Sequence, residues 1–162
     1  MNQTKTLWLA CIVVVGLVGC TPDAERNEDG QVIADGDIDA FAMRIGDCFD
    51  DTGGILSVGQ ESVSDLPGRP CTEPHDNEVF ATFDADLSTF PGSDEITEFG
   101  NMSCEERFAD YVGSEYESSL LALFAITPTQ NSWIQYKDRE VICALYDMNE
   151  QKLTRSMRDS GE

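Results

Sequence analysis

Basic side chains are scarce in this sequence. Its 162 residues contain 10 lysines and arginines against 31 aspartates and glutamates, which gives a formal net charge of −21. Proteins bind nucleic acids and anionic lipid headgroups mainly through lysines and arginines that neutralise phosphates. The composition therefore argues against nucleic acid as a partner.

Histidine and the short catalytic motifs are also nearly missing. The chain has one histidine, His75, no cysteines spaced C-x2-C, and no G-x-S-x-G sequence. Zinc sites of the usual kinds need several histidine or cysteine ligands, and G-x-S-x-G carries the nucleophile of the α/β-hydrolases. We therefore predict no metal site, no cofactor and no catalytic residue.

No apolar run is long enough to cross a bilayer, which takes roughly 20 residues. The apolar stretch Leu7 to Val18 follows Lys5 and has the length of a signal-peptide core. It ends in Leu17-Val18-Gly19-Cys20, the form of a bacterial lipobox, with a small residue before the cut and a thiol after it. We predict that residues 1–19 are a signal peptide and that lipid on Cys20 anchors the protein at the extracytoplasmic face of the cell membrane. An uncleaved anchor and a buried core helix are the alternatives.

The composition divides the remaining chain into three parts. Residues 20–38 are acidic and contain few large apolar residues, which predicts a disordered tether. Residues 39–148 are long enough and apolar enough for one domain with a modest core. Residues 149–162 are predicted to be a polar C-terminal tail.

Hydrophobic spacing within the domain predicts an α+β fold, a small antiparallel sheet with one main helix packed on it. Ile45–Phe49 and Glu140–Tyr146 are predicted strands, the latter central because its middle is apolar throughout. In the predicted strand Asn77–Asp84, Val79, Ala81 and Phe83 alternate onto one side. A helix is predicted from a cap at Ser93 or Asp94 to about Gly113, with a buried stripe spaced by four residues: Ile96, Gly100, Cys104, Phe108 and Val112. Leu120–Ile126 fits a strand or a buried helix.

The cysteines predict a disulfide framework. Six are present, of which Cys11 would leave with the signal peptide and Cys20 would carry lipid, so that four remain. An even number in an exported domain predicts two disulfides, in one of three pairings. We favour Cys48–Cys71 with Cys104–Cys143, because this pairing joins elements that are near in chain order. A four-thiolate zinc site is the alternative.

Several segments together resemble the septum-formation domain of actinobacterial envelope proteins. They are G-D-C-F at Gly46–Phe49, C-x-E-P-H-D-x-E-V at Cys71–Val79, and W-x4-D-R-x-x-x-C from Trp133 to Cys143, in this order and with all four cysteines. The resemblance covers about residues 44 to 146, and it departs at Lys137, where the family more often has Gly. It implies a small membrane-tethered α+β domain connected with septation. The motif residues to which it gives no defined role are Asp47, Glu73, Pro74, His75, Asp76, Trp133, Asp138 and Arg139.

Three groups of residues in the domain are candidate functional sites. His75 lies among Glu73, Asp76 and Glu78, an arrangement open to general-base catalysis, but a tight turn at Pro74-His75-Asp76 explains the same residues structurally. An oxygen-rich calcium site at Asp47, Asp50 and Asp51 is an alternative to a solvated loop. Trp133 and Tyr136 fit stacking on sugars or, more ordinarily, core packing.

These observations favour a non-catalytic interaction module in cell-envelope or septum-related processes, with an unidentified envelope protein as partner. An envelope hydrolase that uses His75 with a neighbouring carboxylate is the competing hypothesis. A divalent-cation-binding surface domain is the third.

Overall fold

The predicted strands form an antiparallel sheet in a computed structural model, which describes residues 22–51 and 64–162. Within these residues, six strands pair in the order β3-β5-β4-β6-β8-β7, and β1 and β2 form a separate two-stranded sheet. The strands are β1 (Glu25–Arg26), β2 (Val32–Ala34), β3 (Gly36–Asp39), β4 (Cys48–Phe49), β5 (Asp65–Arg69), β6 (Asn77–Asp84), β7 (Leu121–Ile126) and β8 (Glu140–Asp147). The α-helices are α1 (Ser93–Val112) and α2 (Gln130–Gln135), and two short 3-10 helices lie at Ala40–Ala42 and Tyr116–Ser118. The α+β prediction is confirmed.

Helix α1 covers one face of the sheet through the predicted stripe. Ile96, Gly100, Cys104, Phe108 and Val112 are all buried, because a spacing of four keeps them on one side of the helix. Gly100 permits a close approach, since a Cβ atom there would lie 2.8 Å from the Cβ of Ala125 on β7. The N-cap is Gly92 instead of the expected Ser93 or Asp94, and Gly113, at φ 87°, ends the helix.

The buried apolar residues form two clusters on opposite faces of the sheet. The helix-side core lies between α1 and the sheet and includes Phe80, Phe108, Val112, Val141 and Leu145. The back-face core lies on the other side and comprises Val32, Ile38, Met43, Phe49, Leu66, Val79, Ile142 and Ala144.

Strand β6 departs from the predicted alternation. Val79 pairs with Ala144 and Ala81 pairs with Cys143, so that Phe80 is an extra residue in a β-bulge. Val79 therefore packs in the back-face core, whereas Phe80, Ala81 and Phe83 belong to the helix side. The expectation that Val79, Ala81 and Phe83 share a face is wrong.

The other strand predictions hold with shifted ends. Leu121–Ile126 is a strand, and β8 lies between β6 and β7 as its apolar middle predicts. Strand β4 is restricted to Cys48–Phe49, since Gly46, at φ 95°, turns the chain just before it. Residues 1–19 and Cys20, to which the signal-peptide and lipidation predictions apply, lie outside the described residues.

Two disulfides connect these elements, in the pairing favoured from chain order. Cys48–Cys71 joins β4 to the segment after β5, and Cys104–Cys143 joins α1 to β8. None of the helices within 22–51 and 64–162 has the length and apolarity to span a membrane.

The predicted tether is folded over the part of it that the structure describes. Strand β3 pairs with β5, and Val32 and Ile38 are buried in the back-face core. These two apolar side chains hold an otherwise polar stretch against the sheet, because both pack into the back-face core.

The predicted C-terminal tail is also folded. Residues 149–162, called here the C-terminal strap, bury Leu153 and Met157 in the helix-side core. The strap contains no helix, and Leu153 exchanges two backbone hydrogen bonds with His75, at 3.0 and 2.9 Å. The folded unit is therefore wider than residues 39–148.

Candidate functional site

His75 is buried at the entry to β6. Its side chain is 0% exposed, and its backbone forms an antiparallel bridge with Leu153 of the strap. The ring Nδ1 lies 2.7 Å from the backbone oxygen of Glu73. The tight turn predicted at Pro74-His75-Asp76 lies earlier in the chain, where the Glu73 N–H donates to the Pro70 carbonyl, and His75 itself forms a β-bridge. The His75 ring contacts the main chain.

The hydrogen bond of His75 fixes its tautomer. A carbonyl oxygen can only accept, so Nδ1 carries the proton and the neutral ring has an unprotonated Nε2. Among the described residues, Nε2 has no hydrogen-bond partner although it is buried. Buried polar atoms are rarely left in this state.

The carboxylates that neighbour His75 in sequence point to other partners. Glu73 is exposed. The Asp76 Oδ2 atom lies 2.8 Å from the Lys152 Nζ and accepts a bond from the Asp51 backbone N–H. A His75 dyad with Glu73 or Asp76 is not assembled among these residues.

Glu78, which the sequence analysis names only as a neighbour of His75, is a fully buried acid. Its Oε1 accepts hydrogen bonds from the hydroxyls of Tyr111, at 2.6 Å, and Ser156, at 2.5 Å. Its Oε2 accepts from the backbone N–H of Met157, at 2.6 Å. Burial raises the pKa of Tyr111 well above its ordinary value, and the charge of Glu78 raises it further, so the phenol stays a donor. Glu78 thus binds the strap to β6 and α1.

Asp47 binds the N-terminal strands to the sheet, as Glu78 binds the strap. Its two carboxylate oxygens accept hydrogen bonds from the Arg26 guanidinium at 2.5 and 2.7 Å, and its side chain is 2% exposed. The backbone N–H of Arg44 donates a further bond to it, at 2.8 Å. We call Asp47, His75 and Glu78 the polar junction, because each of them ties a terminal segment to the sheet.

The three carboxylates considered for calcium do not share a site. Asp47 is occupied by Arg26, and Asp50 lies 2.7 Å from both Arg69 and Lys152. Asp51 accepts a bond from the Asn77 amide at 2.8 Å. Burial pushes the pKa of Asp50 upward, but its hydrogen bonds to Lys152 and Arg69 outweigh burial and hold the pKa below its ordinary value. The three carboxylates thus already have partners within the chain, and this geometry does not support the calcium interpretation.

The W-x4-D-R motif builds the turn from α2 into β8. The guanidinium of Arg139 lies 3.6 Å from the centre of the buried Trp133 ring, and Asp138 accepts bonds from the Ser132 hydroxyl and the Glu140 backbone N–H. Lys137 has φ 57°, a conformation that favours Gly. The chain therefore forms a glycine-like turn at the position where it departs from the resembled pattern.

Trp133 and Tyr136 do not form a sugar-stacking pair, because Trp133 is only 4% exposed. Tyr136 instead meets Phe41 edge to face, with ring centroids 6.4 Å apart. These two aromatics are 69% and 60% exposed, although they come from segments far apart in sequence. We call them the aromatic pair.

The comparisons with known proteins give one match. The family model described as "Septum formation" matches residues 46–160 of the chain. No curated protein and no solved structure matches it. The matched region extends through most of the C-terminal strap.

Proposed function

Because the chain belongs to the septum-formation family, and so to proteins of cell division or the cell envelope, we propose that it is a non-catalytic lipoprotein that binds an envelope protein. The observation that carries this proposal is the burial of the motif residues. Asp47, His75 and Glu78 are each at most 2% exposed and hold the chain's own segments. A substrate has no access to side chains used in this way.

The competing hydrolase hypothesis requires a different arrangement. A general base must reach the reacting group within hydrogen-bond distance, directly or through one water molecule. His75 is 0% exposed, and the bridge from Leu153 holds the strap against it. This geometry supports a structural role for the histidine.

The aromatic pair is the proposed centre of the partner-binding surface. Exposed tyrosines and phenylalanines contribute strongly at interfaces, where a tyrosine supplies apolar area together with a hydroxyl. The net charge of −21 on the chain favours a partner with a basic rim, through electrostatic attraction.

The proposed anchor is lipid on Cys20. The lipobox supplies the acceptor thiol, and the two disulfides are consistent with an oxidising compartment outside the cytoplasm. Each acyl chain adds about 0.8 kcal/mol per buried CH2 group, so two or three chains hold a protein firmly at a bilayer. We expect Cys20→Ala to move the protein from the membrane fraction to the soluble fraction.

In-cell photo-crosslinking tests the binding surface. A photo-reactive amino acid at position 136 should give a discrete crosslinked product, and Phe41→Ser in the same chain should remove it. Met102, which is 63% exposed on α1, is the matched control position and should give no such product. The proposal fails if positions 136 and 102 crosslink alike, or if a folded His75→Asn variant loses a hydrolytic activity that the wild type has.

A further inference from the structure

The Cys48–Cys71 disulfide ends inside a cluster of metal-ligand side chains. The Cys48 sulfur, a ring nitrogen of His75 and a carboxylate oxygen of Glu78 all lie within 4.8 Å of one another, and all three residues are buried. Zn²⁺ binds sulfur at about 2.3 Å and nitrogen or oxygen at about 2.0 to 2.2 Å, which separates tetrahedral ligand atoms by about 3.3 to 3.6 Å. A contraction of the cluster by about 1 Å brings the three atoms around one ion.

The hydrogen bond from His75 to the Glu73 carbonyl leaves the other ring nitrogen in a position to bind a metal. The His75 Nδ1–H is donated to that carbonyl, and the buried Nε2 lone pair has no partner among the described residues. Histidine ligands of metals almost always donate the second ring N–H to a carbonyl or carboxylate, which fixes the ring and its tautomer. Nε2 is thus the nitrogen available for coordination.

Glu78 also retains a position for a cation. A carboxylate has about four lone-pair sites. The hydroxyls of Tyr111 and Ser156 use two of them on Oε1, and the Met157 N–H uses one on Oε2. The remaining lone pair on Oε2 can coordinate, while the three hydrogen bonds hold the carboxylate in place.

The oxidation state of Cys48 decides whether the cluster can bind a metal. A disulfide sulfur is a poor ligand, whereas a thiolate is a strong one for Zn²⁺. Cys71 is partly exposed, so a reductant can reach this bridge, but Cys104 and Cys143 are both 0% exposed. The two disulfides therefore differ in their access to reductants.

We propose that reduction of Cys48–Cys71 converts the cluster into a Zn²⁺ site made of the Cys48 thiolate, His75 Nε2 and Glu78. A dithiol reductant supplies two electrons and two protons, which yields two cysteine thiols and the disulfide of the reductant. Zn²⁺ then displaces the proton of Cys48 to solvent. Cys71, whose sulfur starts bonded to that of Cys48, is the fourth ligand within reach. Disulfide and metal exclude each other, which makes the site a redox switch.

Metal titration of the full chain in both redox states tests the proposal. Cys11→Ser and Cys20→Ser remove the other thiols in every sample, and a phosphine reductant opens the accessible bridge without chelating zinc. We expect one equivalent of Zn²⁺ to bind the reduced protein and none to bind the oxidised protein. Co²⁺ in place of Zn²⁺ should give the sulfur-to-metal absorption of a tetrahedral thiolate site. Differential alkylation with mass spectrometry identifies which cysteines were reduced.

Two matched comparisons assign the ligands. His75→Asn keeps a donor for the Glu73 carbonyl but lacks Nε2, and it should weaken Zn²⁺ binding by at least about 100-fold. Glu78→Gln should weaken binding, whereas Glu73→Gln, which changes an exposed carboxylate two residues before His75, should leave it unchanged. X-ray absorption at the zinc edge of the protein that keeps His75 and Glu78 gives the sulfur and nitrogen ligands independently of whether the ligand variants fold. The proposal is wrong if the reduced protein binds no zinc, if His75→Asn binds as tightly as wild type, or if binding requires reduction of Cys104–Cys143.

Discussion

The helix-side core and the polar junction adjoin the same strand, β6, but the core consists of apolar side chains and the junction of polar ones. The core consists of apolar and aromatic side chains such as Phe80 and Phe108, which lie on segments with regular spacing. The polar junction consists of Asp47, His75 and Glu78, buried residues that bind terminal segments with few apolar residues. Asp47 and Glu78 do so through their side chains, and His75 does so through its backbone.

Other segments of the chain are thus attached to one sheet in two ways, by apolar burial and by hydrogen bonds. Burial in the core stabilises in proportion to the apolar area removed from water. In the polar junction the stabilisation is concentrated in a few hydrogen bonds, and a buried group left without its partner costs about 1 to 3 kcal/mol. Core substitutions should therefore lower the stability of the whole domain, whereas junction substitutions should first release one segment.

The largest effect is expected from Phe108→Ala in the core. Phe108 is 0% exposed and meets Phe80 and Tyr116 edge to face, with centroids 5.8 and 5.2 Å away. The cavity should lower the free energy of unfolding by about 3 to 5 kcal/mol, measured by urea denaturation with both disulfides intact. Met102→Ala, on the exposed side of the same helix, should change it by less than about 0.5 kcal/mol. Similar losses in the two variants would show that the helix-side core is not the main source of stability.

A smaller and local effect is expected from Asp47→Asn in the polar junction. The amide keeps the shape of the side chain but removes the charge that pairs with Arg26. Arg26 is 18% exposed, so the loss should be below the roughly 3 to 5 kcal/mol that breaking a fully buried ion pair costs. Hydrogen exchange should accelerate in residues 24–39 and remain slow in α1.

Asp29→Asn is the control for this local effect, because it makes the same change of charge at an exposed position of the same segment. It should leave exchange unaltered. If Asp47→Asn accelerates exchange in α1 as much as in residues 24–39, the distinction between core and junction does not hold.

The sequence predicts the core better than the junction, for a physical reason. The stripe of α1 follows from spacing alone, since residues four apart share a helix face. Hydrophobic spacing does not reveal a β-bulge, so the prediction for the face of Val79 is wrong. Strict alternation places Val79, Ala81 and Phe83 on one face of the strand. The extra residue of the bulge puts Val79 on the opposite face.

The junction depends on contacts between residues far apart in the chain. Glu78 receives its hydrogen bonds from residues 33, 78 and 79 positions away. A glutamate inside a strand is ordinarily read as exposed, and nothing local marks it as buried. For the same reason the sequence predicts a disordered tether before residue 39 and a polar tail at residues 149–162, although their isolated apolar residues Val32, Leu153 and Met157 are buried.

The smallest effect is expected where the strap meets the sheet through exposed charges. Lys152, 45% exposed, lies 2.7 Å from Asp50 and 2.8 Å from Asp76, and such pairs contribute less than about 1 kcal/mol. Lys152→Met should therefore lower the free energy of unfolding by that small amount at pH 6. Lys137→Met, at an exposed lysine without an ion pair among the described residues, is the control and should have no effect.

Acid should remove the difference in the free energy of unfolding between wild type and Lys152→Met. Because the pKa of Asp50 is lower in the folded protein than in the unfolded chain, its contribution is complete above the unfolded pKa, near 3.9, and is lost as the pH falls through the folded pKa. Urea denaturation between pH 6 and pH 2.5 should show the gap between the two proteins closing below about pH 4. High salt at pH 6 should also narrow it, since exposed pairs are screened. A gap that persists at pH 2.5 would mean that the methylene groups of Lys152, and not its charge, hold the strap.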